Sequence, residues 1–260
     1  MADVSKFQGK KIVITGSSSG IGKAAAFQLA ELGATVILLA RREEELKTAE
    51  SEIRVNGGIA HAYSVDLSDV EMVDQVCERI MAEHGTIDVL VNNAGRSIRR
   101  PFMDSLERFH DFERCMQINY YSPMRLTRKL LPEMIKAGDG HIINSSTWGT
   151  LFPVTGFGPY NASKAALDSI AECMRNELRE QGIAITQIHF PLVHTAMSAA
   201  TKKYQKIPGL SPDEAAEWIV KAVEKRPEKI YDLKTTVGKW FYLSLPRTAE
   251  KFAARLPFSL

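Results

Sequence analysis

Lys11-Ile12-Val13-Ile14-Thr15-Gly16-Ser17-Ser18-Ser19-Gly20-Ile21-Gly22 is the stretch on which the fold turns. Its first five residues are short and apolar, as buried parallel strands are, and a helix-like run begins at Gly20 and continues to Leu32. Strand-like and helix-like runs go on alternating beyond it. Strands are expected at Thr35 to Ala40, Ala60 to Val65, Val89 to Val91, His141 to Asn144 and Ile183 to His189, with a seventh near Lys229 to Tyr231. Helices are expected at Glu43 to Val55, Val70 to Glu83, Arg108 to Ile135, Tyr160 to Glu180 and Pro212 to Glu224. This alternation predicts an α/β chain: a doubly wound parallel sheet of about seven strands, helices on both faces, and a ligand at the carboxyl ends of the strands.

At 260 residues and 45% hydrophobic content, the chain suits one domain with a full core. Against 31 acidic residues stand 33 basic ones, a balance that gives no reason to expect a nucleic-acid partner. Cys77, Cys115 and Cys173 are odd in number and unevenly spaced, so neither a disulfide framework nor a metal-ligand set is expected. The opening residues lack an apolar signal core, and no later run approaches a membrane span, so the expected location is the cytoplasm.

Residues 8–95 read as a dinucleotide-binding half. Gly16, Gly20 and Gly22, spaced Gly-x-x-x-Gly-x-Gly, let a pyrophosphate approach the start of the first helix, or else serve only a tight turn. After the second strand stand Arg41 and Arg42, where a ribose-binding carboxylate would select NAD(H). A guanidinium fork suits a 2'-phosphate, so NADP(H) is the expected cofactor, with Arg41 the main contact and Arg42 its helper; the alternative is two solvated side chains at a helix start. Asp66 would accept from an adenine amino group, cap the next helix, or both. Asn92-Asn93-Ala94-Gly95 closes the fourth strand with small residues that let backbone pass close to the cofactor.

Tyr160 and Lys164 in Tyr160-Asn161-Ala162-Ser163-Lys164 lie four apart and share a helix face. With Thr15 to Gly22, Asn92 to Gly95 and Asn119 in the same order, they make the chain resemble the short-chain dehydrogenase/reductase family over nearly its whole length. The resemblance implies a Rossmann-type fold and a tetrad of Asn119, a hydroxyl residue, Tyr160 and Lys164. In the family a serine usually lies thirteen positions before the tyrosine; here that position is Thr147, with Ser146 the alternative if the loop is bulged. The expected cofactor set is Gly16, Ser18, Ser19, Gly20, Ile21, Gly22, Arg41, Arg42, Asp66, Leu67, Asn93, Ala94, Gly95, Tyr160, Lys164, Pro191, Val193 and Thr195; the substrate set is Ser146, Thr147 and Tyr160.

An unperturbed tyrosine has a pKa of ~10, and Lys164 together with an oxidised nicotinamide would favour phenolate near neutrality. Pro123 has no N–H for the carbonyl of Asn119, so a kink is expected there, freeing that oxygen to hold a water on a proton path.

Residues 96–233 form the substrate half, with a lid at 198–210 carrying Lys202, Lys203 and Lys206. Together with Arg96, Arg99 and Arg100 these would receive an anionic handle such as the phosphates of coenzyme A, or remain ordinary solvated charge. Gly95 to Pro101 and Arg108 to Asp111 resemble bacterial fatty acyl-CoA reductases within the family. That implies reduction of a long-chain acyl-CoA to an aldehyde. The alternatives are a ketone or secondary-alcohol dehydrogenase of hydroxysteroid or 3-oxoacyl type, and a non-catalytic dinucleotide sensor. The tail at 234–260 mixes aromatic and basic residues and would wall a pocket, pack on the domain or a partner, or touch a membrane surface. By resemblance, the two long helices from Arg108 and Tyr160 would form a homodimer or homotetramer.

Overall fold

Seven strands lie parallel in one sheet: β1 (Lys11–Thr15), β2 (Thr35–Ala40), β3 (Ile59–Ser64), β4 (Val89–Asn92), β5 (Gly140–Thr147), β6 (Ile183–Phe190) and β7 (Lys229–Ile230). Their spatial order is β3-β2-β1-β4-β5-β6-β7. Between them run α1 (Gly20–Glu31), α2 (Glu43–Val55), α3 (Val70–His84), α4 (Phe109–Met116), α5 (Ser122–Ala137), α6 (Gly158–Leu178), α7 (Ala196–Ala199) and α8 (Pro212–Lys225), and α9 (Leu233–Ser244) follows β7. This is the architecture of a computed structural model that describes residues 3–248 apart from positions 153 and 200, and not the side chains of Lys202 and Lys203. It is the expected single-domain, doubly wound fold. Its order reverses between β1 and β4, so a crevice opens there at the carboxyl ends of the strands.

Alternation along the strands builds a core on each face of the sheet. Ile12 and Ile14 of β1 pack with Val36 and Leu38 of β2 against α1, α2 and α8, whereas Val13, Ile37 and Leu39 face α3, α5 and α6. Each such fully buried aliphatic side chain contributes about 2 kcal/mol relative to exposure. Helix α8 begins with a complete capping box, Ser211 with Glu214, and carries Pro212 at its first position, where a missing N–H costs nothing.

Two elements depart from the sequence expectation and a third stands where none was expected, each for a physical reason. Strand β5 does not stop at Asn144: it continues through Ser145 and Ser146 to Thr147, paired residue by residue with β6 up to Thr147↔Phe190. Serine has little intrinsic strand preference, but an equally long neighbour supplies the ladder. The expected helix from Arg108 to Ile135 is divided: Gln117–Tyr121 form a π-helical turn, with the Ser122 N–H donating to the Gln117 carbonyl. Pro123 lies just past it and cannot donate to Asn119. Finally, the tail beyond β7 is helical over Leu233–Ser244, capped by Asp232, whose carboxylate accepts from the Thr235 N–H at 2.7 Å.

Candidate active site

The crevice between β1 and β4 is a cleft of about 660 Å³ that runs from the turn after β2 to the segment after β6. At one end the wall is backbone. Gly16, at φ +71°, sits so close to the next strand that an added Cβ would lie 3.0 Å from the Ala94 Cα. Thr15 fixes that approach: its hydroxyl accepts from the N–H groups of Asn93 and Ala94, both at 2.9 Å, and the Asn93 amide donates to the Thr15 carbonyl at 3.0 Å. Ser18, Ser19, Gly20 and Ile21 line the cleft at the start of α1, whose cap residue Ser19 makes no side-chain capping bond. The first N–H groups of α1 are therefore not satisfied by the side chain of their own cap, and the helix start borders a site with bare backbone, a fit for a pyrophosphate.

Gly22 does not line the cleft. An added Cβ there would meet the Gly16 carbonyl oxygen at 2.5 Å and the Asn93 amide at 2.6 Å, so its role is to let α1 pack against the loop. Arg41 and Arg42 both line the same end of the cleft. Arg42 is tied to the loop, donating to the Ser18 hydroxyl at 3.1 Å and pairing with Glu45 at 3.0 Å, while Arg41 is largely exposed with Asp66 at 3.9 Å. Asp66 accepts from the Ser68 N–H and hydroxyl at 2.9 and 2.6 Å and, with Leu67, borders the cleft. These bonds hold its carboxyl below the usual range.

At the other end the wall is side chain. Thr147 and Tyr160 meet there: the Thr147 hydroxyl is a hydrogen-bond partner of the phenol, and its oxygen accepts from the Gly149 N–H at 3.3 Å. Ser146, its neighbour on the strand, also lines the cleft, but its hydroxyl is spent on Asp168 of α6, to which it donates at 2.8 Å. There is no bulge in β5 to exchange the two. Lys164, 3% exposed, donates to the Ser145 carbonyl at 2.7 Å. Burial pushes its ammonium down to about 8 and pushes the Tyr160 phenol up to about 12, the Thr147 hydrogen bond opposing the latter. The expected lowering of the phenol by Lys164 is thus not produced by the protein's own residues: burial raises it, and the opposing influence is the Thr147 hydrogen bond.

Asn119 is fully buried and off the cleft wall. Its side chain acts as a clamp: the Arg96 N–H donates to Oδ1 at 2.8 Å, and Nδ2 donates to the Arg96 carbonyl and the Ser163 hydroxyl, each at 2.9 Å. That holds the chain after Gly95 against α6. Pro191, Val193 and Thr195 line the cleft beyond β6, where the Thr195 methyl faces Gly20.

Trp148, Val154, Phe157, Met197 and Tyr204 complete an apolar wall around Tyr160 that sequence reasoning missed, because loop residues carry no period. Phe157 and Tyr204 stack with centroids 6.4 Å apart. The segment expected as a lid is zipped at its base by the Leu210 N–H on the Leu192 carbonyl and the His194 N–H on the Leu210 carbonyl. Of the basic cluster beside it, Arg96 and Arg99 line the cleft, and Arg99 bonds the Tyr204 hydroxyl. Arg100 is diverted: with Arg108 it pairs with the buried carboxylate of Asp111, at 3.2 and 3.0 Å, which a handle for a substrate phosphate would have to break. The side chains of Lys202 and Lys203, and the tail from 249 to 260 with its Lys251, Phe252, Arg255, Leu256 and Phe258, lie outside the described residues.

The glycine-walled crevice, the Tyr160–Lys164 helix and the strand order together define a nicotinamide-dependent oxidoreductase, and the chain belongs to the short-chain dehydrogenase/reductase family: the family model described as short chain dehydrogenase matches residues 10–206. It is 48% identical over 223 residues to a fatty acyl-CoA reductase of Mycobacterium tuberculosis, covering 85% of this chain and 76% of that protein. A fatty acyl-CoA reductase of Acinetobacter baylyi is 49% identical over 223 residues, covering 86% and 76%. Among solved structures, a short-chain dehydrogenase from Streptomyces avermitilis superposes with a TM-score of 0.81 at 30% identity, over 94% of this chain and 96% of that one. A metagenomic short-chain oxidoreductase in complex with NADP gives 0.75 at 30% identity, over 87% and 98%. Among the described residues, no helix is long and apolar enough to cross a membrane.

Proposed function

We propose that the protein reduces a long-chain fatty acyl-CoA to the aldehyde with NADPH. The observation that carries the reading is the division of one cleft, with Arg41, Arg42 and Ser18 at one end and Thr147 and Tyr160 inside an apolar wall at the other. The substrate class follows the names of the relatives that share nearly half of the aligned residues. A 2'-phosphate suits the two guanidinium groups, which is why NADP(H) is preferred over NAD(H).

The cleft from Arg41 to Lys164 would hold NADPH, which would supply the hydride that reduces the acyl carbon. Thr147 and Tyr160 donate hydrogen bonds to the acyl oxygen as it gains charge, in a pocket that Trp148 and Phe157 keep dry. Collapse re-forms the carbonyl and breaks the carbon–sulfur bond, and the departing thiolate takes a proton that Tyr160 can give. A phenol held as high as about 12 by burial is fully protonated at neutral pH, the state this step needs. Lys164 keeps ammonium protons beyond the one spent on Ser145, for the ribose hydroxyls and for re-protonating Tyr160. The Asn119 carbonyl, denied its helical donor by Pro123, completes the route as a water-holding acceptor, while its side chain positions residues 95 and 96.

The test is to mix the protein with NADPH or NADH and a long-chain acyl-CoA, following cofactor absorbance, aldehyde and free thiol together. NADPH-selective loss with equal release of aldehyde and thiol is expected. Cofactor consumption with ketones but none with thioesters would move the substrate to the secondary-alcohol class, and no turnover with either would favour a sensor.

A further inference from the structure

Helix α9 wears its apolar side outward. Toward the domain it presents Thr235, 3% exposed, Gly238, where an added Cβ would meet the Phe152 ring at 3.3 Å, and half-buried Tyr242. Away from it stand Leu233, Val237 and Trp240, exposed by 79, 62 and 66%, with Phe241 and Leu243 at the edges of the stripe. The spacing i, i+4, i+7 is that of a helix meant to bury one face, yet the face it would bury is the one left to the outside.

Charge selects what covers it. Residues 233–248 contain Lys234, Lys239 and Arg247 and no acidic residue, and Asp232 just before them is occupied as the helix cap. Two copies of α9 laid face to face would set these cations against one another. The chain beyond adds Lys251 and Arg255 against the single Glu250, so it cannot supply the missing negative charge either. A bilayer with anionic headgroups offers an apolar layer to Leu233, Val237 and Trp240 and phosphates to the lysines, and tryptophan and lysine are residues that settle at such an interface.

We propose that α9 docks the protein to an anionic membrane surface, lying in the plane of the headgroups. Through the side it turns to the domain, the docked helix adjoins the reacting end of the cleft: Gly238 rests on Phe152, whose ring meets Trp148 edge-on with centroids 4.8 Å apart, and Trp148 lines the cleft. Docking would bring the apolar mouth to the place where long-chain amphiphiles partition. The face stands whether the carbonyl substrate is a thioester or a ketone.

Full-length protein is sedimented with vesicles of phosphatidylcholine plus phosphatidylserine, and with phosphatidylcholine vesicles alone. Binding to the mixed vesicles is expected to exceed binding to the neutral ones, and to fall about fivefold for each of Lys234→Gln and Lys239→Gln at low salt. Val237→Glu with Trp240→Glu is expected to weaken it by about tenfold or more while leaving NADPH binding unchanged; Val237→Ser with Trp240→Ser, gentler on the fold, should act in the same direction. No sedimentation with the mixed vesicles, or sedimentation that survives both double variants, overturns the proposal. So does a change of oligomer size by light scattering in those variants, which would make α9 a subunit contact.

Discussion

At one end of the cleft the wall is backbone, at Gly16, Gly20 and Ala94; at the other it is side chain, at Thr147, Trp148, Phe157, Tyr160 and Tyr204. The first end works through atoms that are missing. A methyl group at position 16 or 22 would run into neighbouring main chain, so the residue types there are dictated by distance alone. The second end works through atoms that are present, and many side chains could fill the same wall with a different substrate preference. The difference explains why members of one family can share a cofactor and diverge in what they reduce.

The chemistry should break first. Tyr160→Phe removes the phenol hydroxyl that is hydrogen-bonded to the Thr147 side chain at the reacting end, and kcat is expected to fall by about 10³-fold with NADPH affinity kept. Next comes the contrast on β5. Thr147→Val should lose about 10²-fold in kcat, since it deletes a donor to the developing oxyanion, whereas Ser146→Ala, whose hydroxyl is spent on Asp168, should stay within severalfold of wild type. Equal losses would mean that the two hydroxyls are not distinct in function.

The backbone end is sharpened by Gly22→Ala. With the Gly16 carbonyl 2.5 Å from the new Cβ, the loop must shift, and a loss of roughly 1–3 kcal/mol in stability is expected by thermal unfolding, together with weaker binding of either cofactor.

The smallest effect concerns charge. Lys164 has a folded pKa of about 8, below its ordinary value, so burying the ammonium costs stability below pH 8, and that cost fades as pH rises from 8 toward the value for a free lysine. Lys164→Met should therefore raise the Tm of the cofactor-free protein by about 3 °C at pH 7, and the gain should shrink as pH climbs through this window. A gain that grows with pH would contradict the assignment.

Much of this was legible in the chain because it rests on rigid rules. The runs that became β1, β2, β4 and β6 are short and apolar, and their alternation with helices predicts the observed parallel sheet. Gly16, Gly20, Tyr160 and Lys164 sit at fixed places on such a scaffold, and all four line the cleft. Pro123 signalled a break near Asn119, though not that the helix would widen into a π turn. What was not legible depended on partners far away in sequence. The last three residues of β5 are strand because β6 is long enough to pair with them. Arg100 leaves the cleft because Asp111 is buried and needs a counter-charge. The phenol of Tyr160 is raised rather than lowered because burial, invisible in a spacing pattern, outweighs the hydrogen bond with Thr147. The apolar wall and the outward stripe of α9 belong to segments whose composition alone does not tell which side will face the domain.

The central claim is that one cleft separates recognition of the cofactor's adenosine end from the reacting end, and binding of NADPH and NADH to two variants tests it most directly. Titrated by fluorescence, Tyr160→Phe should bind NADPH as wild type does while failing to turn over. Arg41→Ala with Arg42→Ala should lose about tenfold or more in NADPH affinity with little change for NADH. Unchanged cofactor selectivity in the arginine variant, or lost NADPH binding in Tyr160→Phe, would contradict the division of labour along the cleft.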